Sequence, residues 1–134
     1  MKRILIPSLD FSGLHRIVEV PVKVEEFINI GAITLEITYN INSLRYEGID
    51  ASTNGHFRVF SNELEPGFIR IVWFGSGQTL DDNSILFSIN FTTLLAGITN
   101  LSFSIDKPGL CEIANWEADI LPFTFQDGQI TIQE

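Results

Sequence analysis

The sequence contains two histidines, His15 and His56, and one cysteine, Cys111, which are the side chains first considered for catalysis. They lie far apart in the sequence, and no Gly-x-Ser-x-Gly or similar nucleophile motif accompanies them. A nucleophile needs a base within hydrogen-bond reach, and no spacing here predicts such a pair. The lone cysteine cannot form an internal disulfide, and we interpret it as a partly buried thiol. The carboxylates form no recognisable pair for glycoside hydrolysis. The sequence therefore predicts a protein that is not an enzyme.

One short polar stretch carries oxygen ligands of the kind that calcium prefers, namely Asp81, Asp82 and Asn83. A complete EF-hand loop spreads its ligands over about twelve residues and ends in a glutamate. Here a strand pattern begins already at Ile85. We interpret the stretch as a capped hairpin loop, and we expect no metal site and no cofactor in this chain.

Charge and length narrow the classes of partner. The 134 residues include 8 Lys and Arg against 17 Asp and Glu, which gives a net charge of −9. An acidic protein repels nucleic acid and anionic lipid, so neither is an expected partner. No run approaches the roughly 20 apolar residues that span a membrane, and membrane insertion is not expected. With 45% apolar residues, the chain predicts a single domain over residues 1–134.

The clearest element is the segment from Ile33 to Tyr39, in which apolar residues alternate with Thr34, Glu36 and Thr38. A period of two predicts a strand that is buried on one face. Turn signals separate further segments of this kind, and no helical period of ten or more residues occurs. The predicted strands cover residues 3–11, 16–25, 33–39, 44–49, 56–60, 68–74, 85–91, 101–105 and 123–132.

Nine short strands without crossover helices predict a nine-stranded antiparallel β-sandwich of the all-β class. Jelly-roll and immunoglobulin-like topologies share this pattern. Pro7 and Pro21 suggest edge positions for the first two strands, because proline has no N–H for a ladder. We expect the longest polar connection from Gly75 to Ser84 and an irregular flap from Lys107 to Asp119.

The predicted strand from Phe68 to Phe74 is apolar on both sides. If it shares a sheet with segments 33–39 and 56–60, one outward face combines aromatic residues, arginine and a polar rim. That composition is typical of protein-binding hot spots. The alternative is that the 107–119 flap covers this face as a secondary core. The candidate partner-binding residues are Thr34, Glu36, Thr38, His56, Arg58, Phe60, Phe68, Arg70, Val72 and Phe74.

Four segments, in order along the chain, resemble the cohesin modules of cellulosome scaffoldins and their relatives outside cellulosomes. They are Val18 to Val22, Ile33 to Leu44, Ile85 to Phe91, and Pro122 to Ile132 with its Asp-Gly bend. The resemblance implies a jelly roll that docks a dockerin-like protein module on the sheet face described above. It also implies that calcium belongs to the dockerin, and that the chain is extracellular or at the cell surface within a larger secreted protein.

Two other functions remain open on the sequence. A carbohydrate-binding module would stack sugars on exposed aromatic residues, so that Phe60, Phe68, Phe74 or Trp116 would have to line up on the surface. Its partner would be a polysaccharide. A structural spacer within a surface adhesin would need no ligand of its own.

Overall fold

The computed structural model describes residues 1–50 and 58–134, and these residues form strands and no helix. In this part of the chain, no helix is long and apolar enough to cross a membrane. The strands are β1 (Arg3–Leu5), β2 (Leu9–Ser12), β3 (Ile17–Glu25), β4 (Phe27–Thr38), β5 (Leu44–Asp50), β6 (Arg58–Glu65), β7 (Phe68–Leu80), β8 (Ile85–Thr93), β9 (Gly97–Phe103), β10 (Glu112–Asn115), β11 (Thr124–Gln126) and β12 (Gly128–Gln133).

The strands form two sheets that pack into a sandwich with jelly-roll topology, as predicted. One sheet has the order β11-β1-β3-β8-β5. The other has the order β2-β12-β9-β4-β7-β6, with β10 also paired to β4. Pairing among the described strands is antiparallel except for β1 with β11 and β2 with β12, which are parallel.

Alternating side chains from both sheets fill the core between them. Val20, Val22 and Val24 of β3 are fully buried, as their period of two predicts. Trp73 of β7 lies against Phe27 of β4, with ring centroids 5.5 Å apart and an angle of 87° between the rings. Each buried side chain of this size stabilises the fold by about 1.5–3 kcal/mol relative to an exposed position. The apolar face of each strand therefore determines which side of each sheet faces inward.

The prediction of nine strands is wrong, because the described residues form twelve. The first predicted strand is divided at Pro7, so that β1 and β2 lie in different sheets. The last is divided at Asp127 in the same way, between β11 and β12. The two points at which the chain passes from one sheet to the other are in close contact. A Cβ atom on Gly128 would lie 2.4 Å from Cγ2 of Ile6. The third additional strand is β10, inside the segment expected to be an irregular flap.

The edge positions suggested by the two prolines are observed only in part. β2, which follows Pro7, is an edge strand of its sheet. β1 lies between β11 and β3, and β3 lies between β1 and β8, so neither of these two is an edge strand. Pro21 is tolerated because β1 pairs only with residues 23 to 25 of β3, whereas Pro21 pairs with Ser88 of β8. A proline is thus tolerated in a strand that has no hydrogen-bonded neighbour on one side at that residue. The sequence cannot distinguish such a local gap from a true edge strand.

Two predicted connections are partly strand. β7 continues to Leu80 through most of the expected polar connection, because Gln78 pairs with Ile30 and Leu80 with Phe27 across bulges. β6 likewise continues to Glu65, five residues beyond the end of the predicted strand at 56–60. Of the predicted strand at 56–60, residues 56 and 57 lie outside the described part.

Bulges also change which side chains point inward. A register shift between Val22 and Lys23 of β3 lets Leu86 of β8 enter the core, while Ile85 is exposed. Strict alternation from Ile85 to Phe91 predicts instead that Ile85 points inward and Leu86 outward. Ile105 was expected to extend the strand at 101–105, but β9 ends at Phe103 and Ile105 is 69% exposed.

Candidate functional site

The candidate site is the outer face of the sheet formed by β4, β7 and β6, which are neighbours as the site prediction requires. Their registers align outward-pointing residues into rows across the strands. One row contains Thr34, Val72 and Phe60. The next contains Glu36 and Arg70. The inward partners between these rows, such as Ile71 opposite Leu35, are fully buried.

Nine of the ten predicted site residues lie together on this outer face, and His56 lies outside the described residues. We call the nine the β4-β7-β6 face. They are Thr34, Glu36, Thr38, Arg58, Phe60, Phe68, Arg70, Val72 and Phe74.

The aromatic residues of this face are uncovered. Phe60 is 58% exposed, Phe74 is 50% exposed and Phe68 is 38% exposed. The segment at 107–119 does not lie over them, because its strand β10 pairs with the edge of β4 and continues the same sheet. The alternative of a secondary core beneath a flap is therefore wrong.

An ion pair lies in the middle of the β4-β7-β6 face. Nη2 of Arg70 donates to Oε1 of Glu36 at 3.2 Å. The Glu36 side chain is only 12% exposed, whereas that of Arg70 is 35% exposed. A pair this shielded from water is screened little by salt, and loss of either partner would leave an uncompensated charge in an apolar setting. The face thus holds a fixed pair of opposite charges between its aromatic ends.

The face is wider than the sequence analysis predicted. The register adds Ala32 opposite Phe74 and Asn62 opposite Arg70. Alternation alone would have included both residues. It also adds Glu112 and Ala114 of β10, which pair with Thr34 and Ala32 of β4. No signal identified these two, because Pro108 and Gly109 interrupt the pattern just before β10.

Exposed aromatic rings are present, but they do not form a flat platform. Phe60 and Phe74 are in contact with ring centroids 6.4 Å apart, and their planes are inclined at 66°. Trp116 is exposed at the turn after β10, where its backbone N–H donates to the backbone carbonyl of Asn29 at 2.8 Å. A sugar ring stacks on aromatic planes that lie parallel to it, so the Phe60–Phe74 pair is better suited to an irregular apolar surface.

Of the residues considered for catalysis or metal binding, His56 lies outside the described residues, and the environments of the others are as follows. His15 is exposed and has a left-handed φ of 58°. Cys111 is partly buried, as expected, and burial raises the pKa of its thiol, which disfavours the reactive thiolate. Oδ1 of Asp82 accepts the N–H of Glu26 at 2.9 Å, as in a capped loop. Among the residues that the structure describes, no three His, Cys, Asp or Glu side chains group together as a metal site would require.

The family model of the cohesin domain matches residues 15–132. The chain belongs to the cohesin domain family. Cohesin domains are non-catalytic docking domains. A comparison with curated proteins found no match.

Solved cohesin structures share the fold over nearly the whole chain. A non-cellulosomal cohesin from the archaeon Archaeoglobus fulgidus has a TM-score of 0.81 at 20% identity, covering 99% of this chain and 91% of the other. A cohesin module of a family 33 glycoside hydrolase from Clostridium perfringens has a TM-score of 0.81 at 17% identity, covering 99% and 97%. The third cohesin ScaC of Acetivibrio cellulolyticus, solved in complex with the ScaB dockerin, has a TM-score of 0.79 at 18% identity, covering 100% of both chains.

Proposed function

We propose that this cohesin domain is a non-catalytic docking module that binds a dockerin-type protein module through the β4-β7-β6 face. The observation that carries the proposal is the uncovered set of phenylalanines around the Arg70–Glu36 pair. Membership of a docking family supports it, as does the similarity to a cohesin solved with its dockerin.

The composition of the face suits a protein partner. Phe60 and Phe74 form one exposed apolar contact, and Phe68 lies six residues away along β7. Strands rise about 3.4 Å per residue, so about 20 Å separates Phe68 from Phe74. Large aromatic residues and arginine dominate binding hot spots, where water is excluded from the centre of the contact. The ion pair between the aromatic ends would fix orientation more than it adds affinity.

We place calcium on the partner and not on this chain. In this arrangement the dockerin needs calcium to fold its binding surface, and the cohesin domain does not. The engagement of the Asp82 carboxylate by the Glu26 N–H supports this assignment. We also propose that the domain acts outside the cell, as part of a secreted or surface protein.

The test is a calorimetric titration of the domain against a panel of calcium-loaded dockerins, repeated in chelator. Wild-type domain should bind at least one of them, and chelator should abolish the binding. Phe74→Ser should raise the Kd at least tenfold, since truncating an aromatic residue of a binding hot spot costs about 2 kcal/mol or more. Ile17→Ser is the matched control, because Ile17 is an apolar residue on the opposite sheet that is more exposed than Phe74, at 71% against 50%.

Equal affinity of the Phe74→Ser variant and the wild type would contradict the use of this face. Absence of binding to every dockerin would contradict the proposed function. Polysaccharide binding is the second candidate, because Phe60, Phe68, Phe74 and Trp116 are all exposed. Retarded migration in a polysaccharide-containing gel, lost on Trp116→Ala, would favour it. A domain that binds neither dockerin nor polysaccharide would be left with the spacer role.

A further inference from the structure

One corner of the β4-β7-β6 face, at the start of the edge strand β6, combines an exposed arginine with two exposed aromatic rings. Arg58 is exposed, and it pairs with Phe74 across β6 and β7. Phe60 follows two residues later on the same side of β6, and its ring contacts that of Phe74. We call these three residues the Arg58 corner. It places a guanidinium group beside exposed apolar surface.

The positive charge of Arg58 is not paired with a carboxylate of the described residues. The guanidinium group takes part in none of the ion pairs found in this part of the chain. Residues 51–57, which precede Arg58, contain no Asp or Glu. The carboxylate nearest in sequence, that of Asp50, belongs to β5 of the opposite sheet, and no ion pair joins it to Arg58. Arg58 is therefore available to a carboxylate from outside the domain.

The carboxylates of the β4-β7-β6 face and its margins lie too far away to neutralise Arg58. Glu36 is bound to Arg70, so these two charges compensate each other. Glu112 of β10 lies three strand spacings away, and Glu65 lies seven residues along β6. Strands are about 4.8 Å apart and rise about 3.4 Å per residue, so the backbones of both residues lie about 15 Å or more from that of Arg58. This separation exceeds the Debye length of about 8 Å at physiological ionic strength.

The charge of the Arg58 corner determines which partner residue it can accept. A partner docked on Phe60 and Phe74 would also remove water from the arginine beside them. An apolar side chain over Arg58 would leave a desolvated charge without a partner, and a lysine or arginine would be repelled. A carboxylate would instead form charge-assisted hydrogen bonds, two of them in parallel, with the planar guanidinium group. The attraction in such a pair increases as water is excluded.

We propose that the Arg58 corner binds an aspartate or glutamate of the docking partner, next to an apolar partner residue that contacts Phe60 and Phe74. The whole chain has a net charge of −9, so an acidic partner gains nothing from long-range attraction and the contact has to be local. Arg58 thus selects, among dockerin-type modules, those that carry a carboxylate at this position. This inference rests on the proposed function, since it specifies a contact of the same partner.

The test is a calorimetric titration of charge variants of Arg58 with a dockerin that binds the wild-type domain. Arg58→Gln should raise the Kd about three- to fivefold, as expected for loss of a partly exposed ion pair. Arg58→Glu should raise it more than tenfold through repulsion, whereas Arg58→Lys keeps the charge and should bind more tightly than Arg58→Gln.

Arg16→Gln is the matched control for these variants. It makes the same change in net charge as Arg58→Gln, at an exposed arginine just before β3 of the opposite sheet. Like Arg58, Arg16 has no ion pair with a described residue. Arg16→Gln should leave the Kd within twofold, and all variants should keep the urea midpoint of the wild type.

Double-mutant cycles identify the partner carboxylate itself. Each exposed Asp or Glu of the dockerin that does not bind calcium is replaced by the corresponding amide and combined with Arg58→Gln. One such pair should be non-additive by threefold or more. If Phe74→Ser weakens binding while Arg58→Gln and Arg58→Glu bind at least as tightly as the wild type, or if every cycle is additive, the inference is overturned and the docking function stands. If no dockerin binds, both fail.

Discussion

The hydroxyls of Tyr39 and Tyr46 form hydrogen bonds that hold the edge strand β6 beside the core. Tyr46 of β5 and Ser61 of β6 share a hydrogen bond of 2.5 Å between the two sheets. The hydroxyl of Tyr39 donates to Oε2 of Glu63, and the same oxygen accepts the N–H of Gly67 at 3.1 Å. β6 carries part of the candidate face, so these bonds position Phe60 and Arg58 as well as closing the sandwich.

The environment of Tyr39 leads to a prediction about alkaline pH. Burial raises the pKa of Tyr39, and its hydrogen bond to Glu63 and the charge of that carboxylate raise it further. The folded state therefore holds the proton more tightly than the unfolded state, whose tyrosine pKa is about 10. This stabilisation is complete below pH 10 and is lost as the pH rises beyond it. Tyr39→Phe should cost about 1 kcal/mol at neutral pH and flatten the alkaline decline.

The measurement is the free energy of unfolding by urea between pH 8 and 11. One proton of difference between the states changes its slope by about 1.4 kcal/mol per pH unit. The chain has two tyrosines, so the double variant Tyr39→Phe/Tyr46→Phe gives the slope of all other groups. Parallel curves for wild type and Tyr39→Phe would contradict the role assigned to this hydroxyl.

At the scale of elements, the crossing of the two terminal segments between the sheets depends on Gly128. A Cβ atom there would lie 2.4 Å from Cγ2 and 2.8 Å from the carbonyl oxygen of Ile6. That oxygen belongs to the backbone and cannot move without shifting the start of the chain. We expect Gly128→Ala to lower the free energy of unfolding by about 1–3 kcal/mol, as overpacking does.

Chemical denaturation of this variant beside Gln129→Ala tests the crossing. Gln129 is the next residue of β12 and is exposed, so its truncation should change stability by no more than about 0.5 kcal/mol. Equal denaturation midpoints for Gly128→Ala and the wild type would contradict this prediction. They would mean that the segments around Ile6 and Gly128 can move apart without loss of stability.

The elements that the sequence predicted well are those with one buried face. Segments 33–39 and 68–74 lie side by side and place seven of the predicted residues on one surface, to which β6 adds Arg58 and Phe60. The alternating pattern does not show where a bulge shifts the register between two neighbouring strands. The shift that buries Leu86 and the pairing of Gln78 with Ile30 both depend on the neighbouring strand. β10 was missed for the same reason, since its four residues carry no pattern until β4 pairs with them.

At the scale of the whole molecule, the two sheets share one core and should unfold together. Trp73, fully buried, contacts Phe27 within one sheet, while Phe91 of the other sheet lies 5.2 Å from Tyr39, ring to ring. Neither sheet can keep its inner face out of water without the other, so loss of one exposes the whole core. Single domains of this size commonly unfold in one transition.

Trp116→Phe leaves Trp73 as the only tryptophan, since the chain has two. Its fluorescence and the far-UV circular dichroism should then give the same urea midpoint. Two separate midpoints would instead indicate that the sheet carrying the candidate face melts independently of its partner, and that the face is held by its own strands alone.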